Sequence, residues 1–296
     1  EFAGRRWVLR VLMLPFVVPT LVAAMGVLAL LGPRGWAGQL GWDLEETPWL
    51  LLYGNLFFNL CVLVRTAVEA LERVSAQRLA AARTLGATPW RAFWRIEWPA
   101  IVPAVGAALC LVFLYCFAGF GLALILGGPD YATVEVEIYT LVAHELELGQ
   151  ASVLAVWMLV LTGAVALAYA ALEKRLAAPG RVVPVARQRP QGIAQWSALL
   201  GAGTVLFVVC AAPLLAIVWR ALQALLVGQG AVVLTDAETL DALWNTVRFS
   251  AMALGLATGL GLVHALGVRA LDAAAQARHA GPGPGALALV WRAAAF

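Results

Sequence analysis

Ser75-Ala76-Gln77-Arg78-Leu79-Ala80-Ala81-Ala82-Arg83-Thr84-Leu85-Gly86-Ala87-Thr88-Pro89-Trp90-Arg91-Ala92-Phe93-Trp94-Arg95-Ile96-Glu97-Trp98-Pro99-Ala100-Ile101-Val102-Pro103 reads as a basic, small-residue helix, a glycine break and a proline-gated return into apolar sequence. Ser75 can cap a helix whose Ala76, Leu79, Ala80, Ala81 and Ala82 favour helix formation. Gly86 permits the left-handed geometry of a helix C-terminus, and Thr88-Pro89 opens a second element with proline at a first-turn position. Trp90, Phe93, Trp94 and Trp98 recur at roughly helical spacing and suit the headgroup level of a bilayer, with Arg91 and Arg95 toward water. Hydrophobic stretches flank the segment on both sides. It therefore reads as a short loop held at a membrane surface, shaped to receive force from outside the bilayer; an ordinary amphipathic interfacial loop would carry the same local pattern.

The rest of the chain supplies the membrane. Hydrophobic residues make up 62% and charged residues 12% of the 296 residues, against roughly 25% charge in a soluble domain, and the mean hydropathy is +0.86. A span needs about 20 apolar residues. Six such stretches lie near 8–31, 49–68, 100–126, 151–172, 195–219 and 243–267, and a further apolar stretch begins at about 286. The first is too long for a signal peptide, lacks a small-residue cleavage site and is followed by more spans. The chain starts at Glu1 and ends at Phe296 inside an apolar stretch, so a piece of a longer protein is expected.

Charge fixes the orientation. With residues 1–7, 69–99, 173–194 and 268–284 on the cytoplasmic side, that side and the adjoining span ends hold sixteen of the 20 basic residues. The opposite loops hold most of the acids, among them Asp43, Glu45, Glu46, Asp130, Glu135, Glu137, Glu145 and Glu147. The positive-inside rule gives one topology in which every span alternates without conflict. The net charge of +3 is thus a topological bias, and no contiguous basic face with base-reaching groups points to nucleic acid.

Several chemistries are disfavoured. Cys61, Cys110, Cys116 and Cys210 all fall inside the apolar stretches without a C-x-x-C pair, and His144, His264 and His279 are scattered, so neither a metal centre nor a cofactor is expected. Lys174 is the only lysine and lies in Leu-Glu-Lys-Arg-Leu. A nucleotide-binding loop of the form G-x-x-x-x-G-K-[ST] needs a lysine in a different setting. If ATP drives this protein, another polypeptide hydrolyses it, and the chain itself is not expected to be an enzyme. An ion-coupled secondary transporter would place ionisable residues near the midplane, and these spans have almost none. A non-transporting membrane scaffold fits the composition but leaves the 75–103 segment without a purpose.

From Ala80 onward the order Ala80-Ala81-Ala82-x-x-x-Gly86, nine residues, then Ile96-x-Trp98-Pro99 resembles the E-A-A-x-x-x-G-(x9)-I-x-L-P signature of inner-membrane permease subunits of ABC importers. Ala80 stands where that family most often has glutamate, and Trp98 replaces the usual leucine; Ile96-Glu97-Trp98-Pro99 is similar to the form in thiamine permeases. Pro19-Thr20-Leu21-Val22-Ala23-Ala24-Met25-Gly26, Gly32-Pro33-Arg34-Gly35-Trp36, Phe57-Phe58-Asn59-Leu60, Leu126-Gly127-Gly128-Pro129 and Thr133-Val134-Glu135-Val136-Glu137-Ile138-Tyr139 also resemble the first half of thiamine importer permeases. Ferric-iron permeases share the plan and stand as the alternative, with other small solutes behind them.

The resemblance implies an all-α, polytopic helical bundle of the type I ABC importer permease class in a bacterial inner membrane. Residues 1–172 would be the last four spans of a first half, with the coupling helix inside 75–99. Residues 173–194 would be a cytoplasmic linker, and 195–296 the first two spans of a second half with the start of a third. A second coupling signature is then expected beyond Phe296, and the piece alone is not expected to transport. By the same resemblance, Ala80, Ala81, Ala82 and Gly86 would contact a dimer of ATP-binding subunits, flanked by Arg78 and Arg83. A periplasmic or extracellular solute-binding protein, a small-molecule solute and membrane lipid complete the expected partners, and alternating access is the expected mechanism. Asn55 and Asn59, one helical turn apart, are candidates either for the pathway or for helix–helix bonding. Tyr115 and Phe117 suit an aromatic cation or plain packing. Glu135 and Glu137, in an outer segment, are candidate contacts for the binding protein, and Gly255-x-x-x-Gly259 suits close helix packing.

Overall fold

The computed structural model describes residues 2–277 apart from 3, 43, 46, 177–188 and 191. Most of the expected linker, Arg181, Arg187 and Arg278, Asp43 and Glu46, His279 and the apolar stretch after 286 lie outside the described residues. Two compact units divide the chain, residues 1–221 and 222–296. Among the described residues the regular elements are all helical. Six helical stretches are long and apolar enough to cross a membrane: Thr20–Gln39, Pro48–Glu72, Pro89–Phe117, Leu148–Glu173, Ile193–Leu226 and Ala237–Ala270.

The first unit begins with α1 (Arg5–Val11), α2 (Leu14–Val17) and α3 (Thr20–Leu31). The expected single span at 8–31 is therefore broken, and proline chemistry explains the break. Val18 precedes Pro19 and adopts an extended ψ of 133°, because the proline ring disfavours helical geometry in the preceding residue. A short α4 (Trp36–Gln39) follows, and then α5 (Pro48–Glu72) crosses the unit. Pro48 occupies the first turn of α5, where its missing N–H leaves no helical bond unmade.

After α5 come α6 (Ala76–Thr84), α7 (Pro89–Ala92), a π-helical turn at Phe93–Glu97, and α8 (Trp98–Phe117). The expected span at 100–126 instead starts near Pro89 and stops at Phe117, and α9 (Phe120–Leu126) forms a separate helix after the Ala118-Gly119 break. The segment expected on the outer side folds as α10 (Val134–Ala143), which packs on α9 and on α11 (Leu148–Leu176). α12 (Ile193–Leu206), a second π turn at Phe207–Ala211 and α13 (Ala212–Leu226) make the fifth crossing.

The core lies where α3, α5 and α9 meet. Phe57 is fully buried among Ala23, Ala24, Val27, Leu50, Leu122 and Leu126. A second cluster joins Leu12, Cys61, Val209 and Cys210, with Phe16 against it. Gly26 marks a close approach: a Cβ there would stand 3.0 Å from the carbonyl oxygen of Pro213 and 3.5 Å from its Cβ. Backbone and proline ring therefore meet without an intervening side chain, the small-residue contact by which membrane helices pack closely.

The π turns share a setting. Each ends one residue before an Xaa-Pro step, Trp98-Pro99 in one case and Ala212-Pro213 in the other, and the last bonds run from Trp98 N–H to Phe93 O and from Ala212 N–H to Phe207 O. Proline at the next position has no N–H for the following carbonyl in that register. In the second turn this carbonyl belongs to Val208, and the Tyr53 hydroxyl of α5 donates to it at 2.5 Å. A backbone acceptor freed within a membrane span is thus satisfied from a neighbouring helix.

The second unit contains α14 (Gln229–Thr235) and α15 (Ala237–Ala277). Asp236 caps α15, its Oδ2 accepting from the Thr239 N–H at 3.2 Å and from the Thr239 hydroxyl at 3.3 Å. Apolar side chains such as Leu243, Trp244, Phe249, Leu256 and Leu260 are exposed around its circumference, as suits a helix covered by lipid or by other helices. Within this unit, a Cβ at Gly255, Gly259 or Gly261 would meet nothing within 4 Å.

Candidate functional site

The segment between α5 and α8 folds as a cap-to-cap surface helix. Ser75, with extended ψ of 117°, accepts the Arg78 N–H on its hydroxyl oxygen at 3.4 Å. At the other end Gly86 has φ +78°. Its N–H donates to Arg83 O at 3.0 Å, while the Ala87 N–H donates to Ala82 O at 3.0 Å. These are the two bonds of a Schellman motif, which close the last turn and need a residue at positive φ. Thr88 then opens α7, accepting the Arg91 N–H at 3.3 Å, with Pro89 in the first turn.

One face of α6 is anchored and the other is presented. Leu79 is buried, Ala76 and Ala82 are half-buried, and Ala80, Ala81, Arg78, Arg83 and Gly86 are exposed. The spacing of Ala76, Leu79 and Ala82, three residues apart, is what turns this face inward. Ala82 thus differs from Ala80 and Ala81 in lying at the edge of the anchored face. A Cβ at Gly86 would meet nothing within 4 Å, so the break is held by its dihedral angle and not by crowding. Leu85 is 87% exposed. The sequence marks this exposure only by the place of Leu85 between the last helical turn and the glycine.

From α7 the chain enters the membrane without losing helical continuity, through a 29-residue stretch from Pro89 to Phe117. The aromatic spacing resolves into a connected stack: Trp90 meets Trp94 at 5.6 Å, Trp94 meets Trp98 at 5.5 Å, and Phe93 touches all three rings at 5.4–6.4 Å between centroids. Such contacts stiffen the turn beyond simple area burial. α8 packs against both α5 and α11, so displacement of α6 has a direct path into three long helices.

The other candidate residues do not converge on one place. Asn59 is buried between α5 and α8, its Nδ2 donating to the Asn55 carbonyl at 3.0 Å and to Cys116 Sγ at 3.3 Å. The side-chain oxygens of Asn55 and Asn59 are buried without a hydrogen-bond partner. Asn59 thus bridges α5 to α8 through Cys116, while its bond to the Asn55 carbonyl stays within α5. Tyr115 instead turns to α2 and meets the Phe16 ring edge-on at 5.6 Å, while Phe117 stacks on Phe113 at 5.7 Å. On α10, Glu137 is exposed, whereas Glu135 is half-buried with its Oε2 unpartnered. Among the described residues, no group of three or more His, Cys, Asp or Glu side chains is placed to hold a metal ion.

Residues 1–178 match the family described as binding-protein-dependent transport system inner membrane component. The chain is 32% identical over 188 residues to the thiamine transport system permease protein ThiP of Escherichia coli K12, covering 61% of this chain and 35% of that protein. The protein of the same name from Haemophilus influenzae is 30% identical over 163 residues, covering 52% and 30%. The sulfate transport system permease protein CysW of Synechocystis is 35% identical over 106 residues, covering 34% and 38%. The chain thus spans about a third of the length of these relatives.

Proposed function

Because the chain belongs to the family of binding-protein-dependent transport system inner membrane components, we propose that its α6 is the coupling element through which separate ATP-binding subunits drive solute import. The chain is a multi-pass inner-membrane component of the ABC permease type, and its family is one of transport components. What carries the proposal is α6 itself. It is fixed at both ends by caps, anchored on one face by Leu79, and exposes Ala80, Ala81 and Leu85 on a surface between two spans.

The chemistry of that surface suits docking. Alanines let a partner surface approach the helix backbone closely. Leu85 supplies a large exposed apolar side chain at the tip, whose cover by a partner would remove apolar surface from water, and Arg78 and Arg83 flank it. In the mechanism we infer, ATP-driven closure of two such subunits moves α6, and the continuous Pro89–Phe117 stretch carries that movement into α8 and its neighbours. The spans then alternate between outward-open and inward-open states, with ATP binding one state better than the other. Asn55, Asn59 and Tyr115 are proposed near the pathway as elements that hold its walls. Glu137, exposed on α10, is the stronger candidate to meet a solute-binding protein at the outer face, with half-buried Glu135 beside it. Residues 1–172 form the end of one permease half, 173–194 a linker, and 195–296 the beginning of a second.

We assign thiamine or its phosphates as the solute. The support is the likeness to thiamine permeases from several organisms together with the Ile96-Glu97-Trp98-Pro99 form. The likeness to a sulfate permease makes sulfate the competing solute for a test, alongside ferric ion. The experiment reconstitutes the full-length permease in proteoliposomes with its ATP-binding subunit and its solute-binding protein. Labelled thiamine should accumulate only when ATP is present, and thiamine-loaded binding protein should stimulate hydrolysis. Accumulation of sulfate or ferric ion in place of thiamine would replace the solute assignment; ATP-independent uptake would remove the coupling mechanism.

A further inference from the structure

A cavity of about 440 Å3 opens between α1 and the end of α5, on the side to which the positive-inside rule assigns the cytoplasm. Its rim is ionic: Arg5, Arg10 and Arg65 face Glu69 and Glu72, while Leu9 and Met13 contribute apolar wall. Two of the three cations are paired. Arg5 Nη2 lies 2.6 Å from Glu72 Oε1, and Arg65 Nε lies 2.8 Å from Glu69 Oε1. That leaves one positive charge in excess, since three arginines face two glutamates. The excess resides on Arg10, an exposed residue whose guanidinium stands 5.4 Å from the centroid of the Trp7 ring.

The surroundings identify the kind of anion. Trp7, over whose ring Arg10 lies, is exposed outside the cavity, as are Val11, Leu14, Val17 and Leu21 further along α1, α2 and α3, apolar surface of no use to a small soluble ion. An indole beside an arginine at the end of a span is the arrangement found at the headgroup boundary. Basic pockets on the cytoplasmic side of helix bundles accept lipid head groups. The Arg65–Glu69 pair is about half exposed on both sides, at 58% and 50%, so its contribution to stability is small. Arg65 can therefore turn one of its donors to an incoming phosphate at little loss, and Arg–phosphate bonds are charge-assisted and frequently bidentate.

We propose that this cavity is a binding site for an anionic phospholipid of the cytoplasmic leaflet, with the phosphodiester held by Arg10 and Arg65 and the acyl chains lying along the Trp7–Leu21 surface. The site lies beside a mechanical junction. Glu72 is the last residue of α5, and α6 begins at Ala76. A bound lipid therefore braces the α1–α5 corner from which the surface helix departs. The assignment depends on the membrane orientation but on neither the solute nor the ATP-binding partner.

Native mass spectrometry of the full-length permease, titrated in detergent with phosphatidylglycerol or phosphatidylcholine, tests this directly. The wild type should retain phosphatidylglycerol at concentrations where phosphatidylcholine is lost. Arg10→Gln should weaken the tightest phosphatidylglycerol site by about tenfold, the effect of removing one charge-assisted hydrogen bond. Arg10→Lys should restore part of that loss, and Arg6→Gln, at an exposed neighbour outside the cavity, should change nothing. Thermal melting of each variant in the same detergent separates lost binding from lost fold. Equal retention of the two lipids, unchanged binding by Arg10→Gln, or competition by glycerophosphate as effective as by the intact lipid would each overturn the proposal.

Discussion

Gly86→Trp in the full-length permease should leave the spans folded and lower ATP-dependent uptake by at least about tenfold, the effect of roughly 1.4 kcal/mol lost at a docking contact. Two observations allow such a separation. A Cβ at Gly86 would meet nothing within 4 Å, so the new side chain starts in open space, and the indole would project from the exposed end of α6. The backbone is the complication. Gly86 has φ +78°, and a residue with a Cβ pays about 1–2 kcal/mol for left-handed geometry. Gly86→Asn controls for this, because asparagine tolerates that region better and carries a small side chain. Uptake and hydrolysis measured together should show the asparagine variant near wild type, with the tryptophan variant hydrolysing ATP without matching transport. Full coupling in Gly86→Trp would remove α6 from the mechanism.

Phe57→Ala should be the most destabilising single truncation in the described core. Phe57 has no exposed surface and lies where α3, α5 and α9 meet. Phenylalanine-to-alanine changes in packed cores cost about 3–5 kcal/mol, part of which comes from the cavity left behind. In a bilayer the separated helices face lipid and not water, so the loss is mainly one of van der Waals contact. The expected value therefore lies toward the low end, at about 3 kcal/mol. Thermal unfolding in detergent should show a clear drop for Phe57→Ala and a smaller one for Phe57→Leu. An unchanged midpoint would mean that the three helices are not held together at this point.

How far the sequence could be read followed the range of the interactions. Ser75, Gly86 and Thr88-Pro89 announced their caps because each acts on backbone groups within five residues, and the structure places those bonds as expected. The six crossings were visible because hydropathy reports how a stretch partitions into lipid. Hydropathy is blind to hydrogen-bond register, however. It carried the first crossing straight through Val18-Pro19, fused α8 with α9 across Ala118-Gly119, and gave no sign of the π turns at Phe93–Glu97 and Phe207–Ala211. The prolines that end those turns were legible, but the group that satisfies Val208, the Tyr53 hydroxyl 155 positions away, was not.

The same division holds for the functional surface. The small residues Ala80, Ala81 and Ala82 carried the resemblance, while which of them faces outward depended on Leu79 finding a buried seat. Leu85 is not part of the signature, which names small residues and a glycine, whereas its exposure is a property of the folded α6 end. Glu135 and Glu137 looked alike as neighbouring acids, and only the packing of α10 against α9 and α11 distinguishes the half-buried one from the free one.

The central claim, that α6 seats in an ATP-binding subunit, is tested most directly by cross-linking. The full-length permease is prepared with its native cysteines replaced and a single cysteine introduced by Ala81→Cys on α6 or by Ala132→Cys on the outer loop, both positions being exposed. Each variant is assembled with the ATP-binding subunit carrying cysteines around its surface groove and treated with a short bifunctional thiol reagent. The account expects a cross-linked product from Ala81→Cys whose yield changes on adding ATP, and none from Ala132→Cys. No product from Ala81→Cys in an assembled complex that still hydrolyses ATP would contradict it.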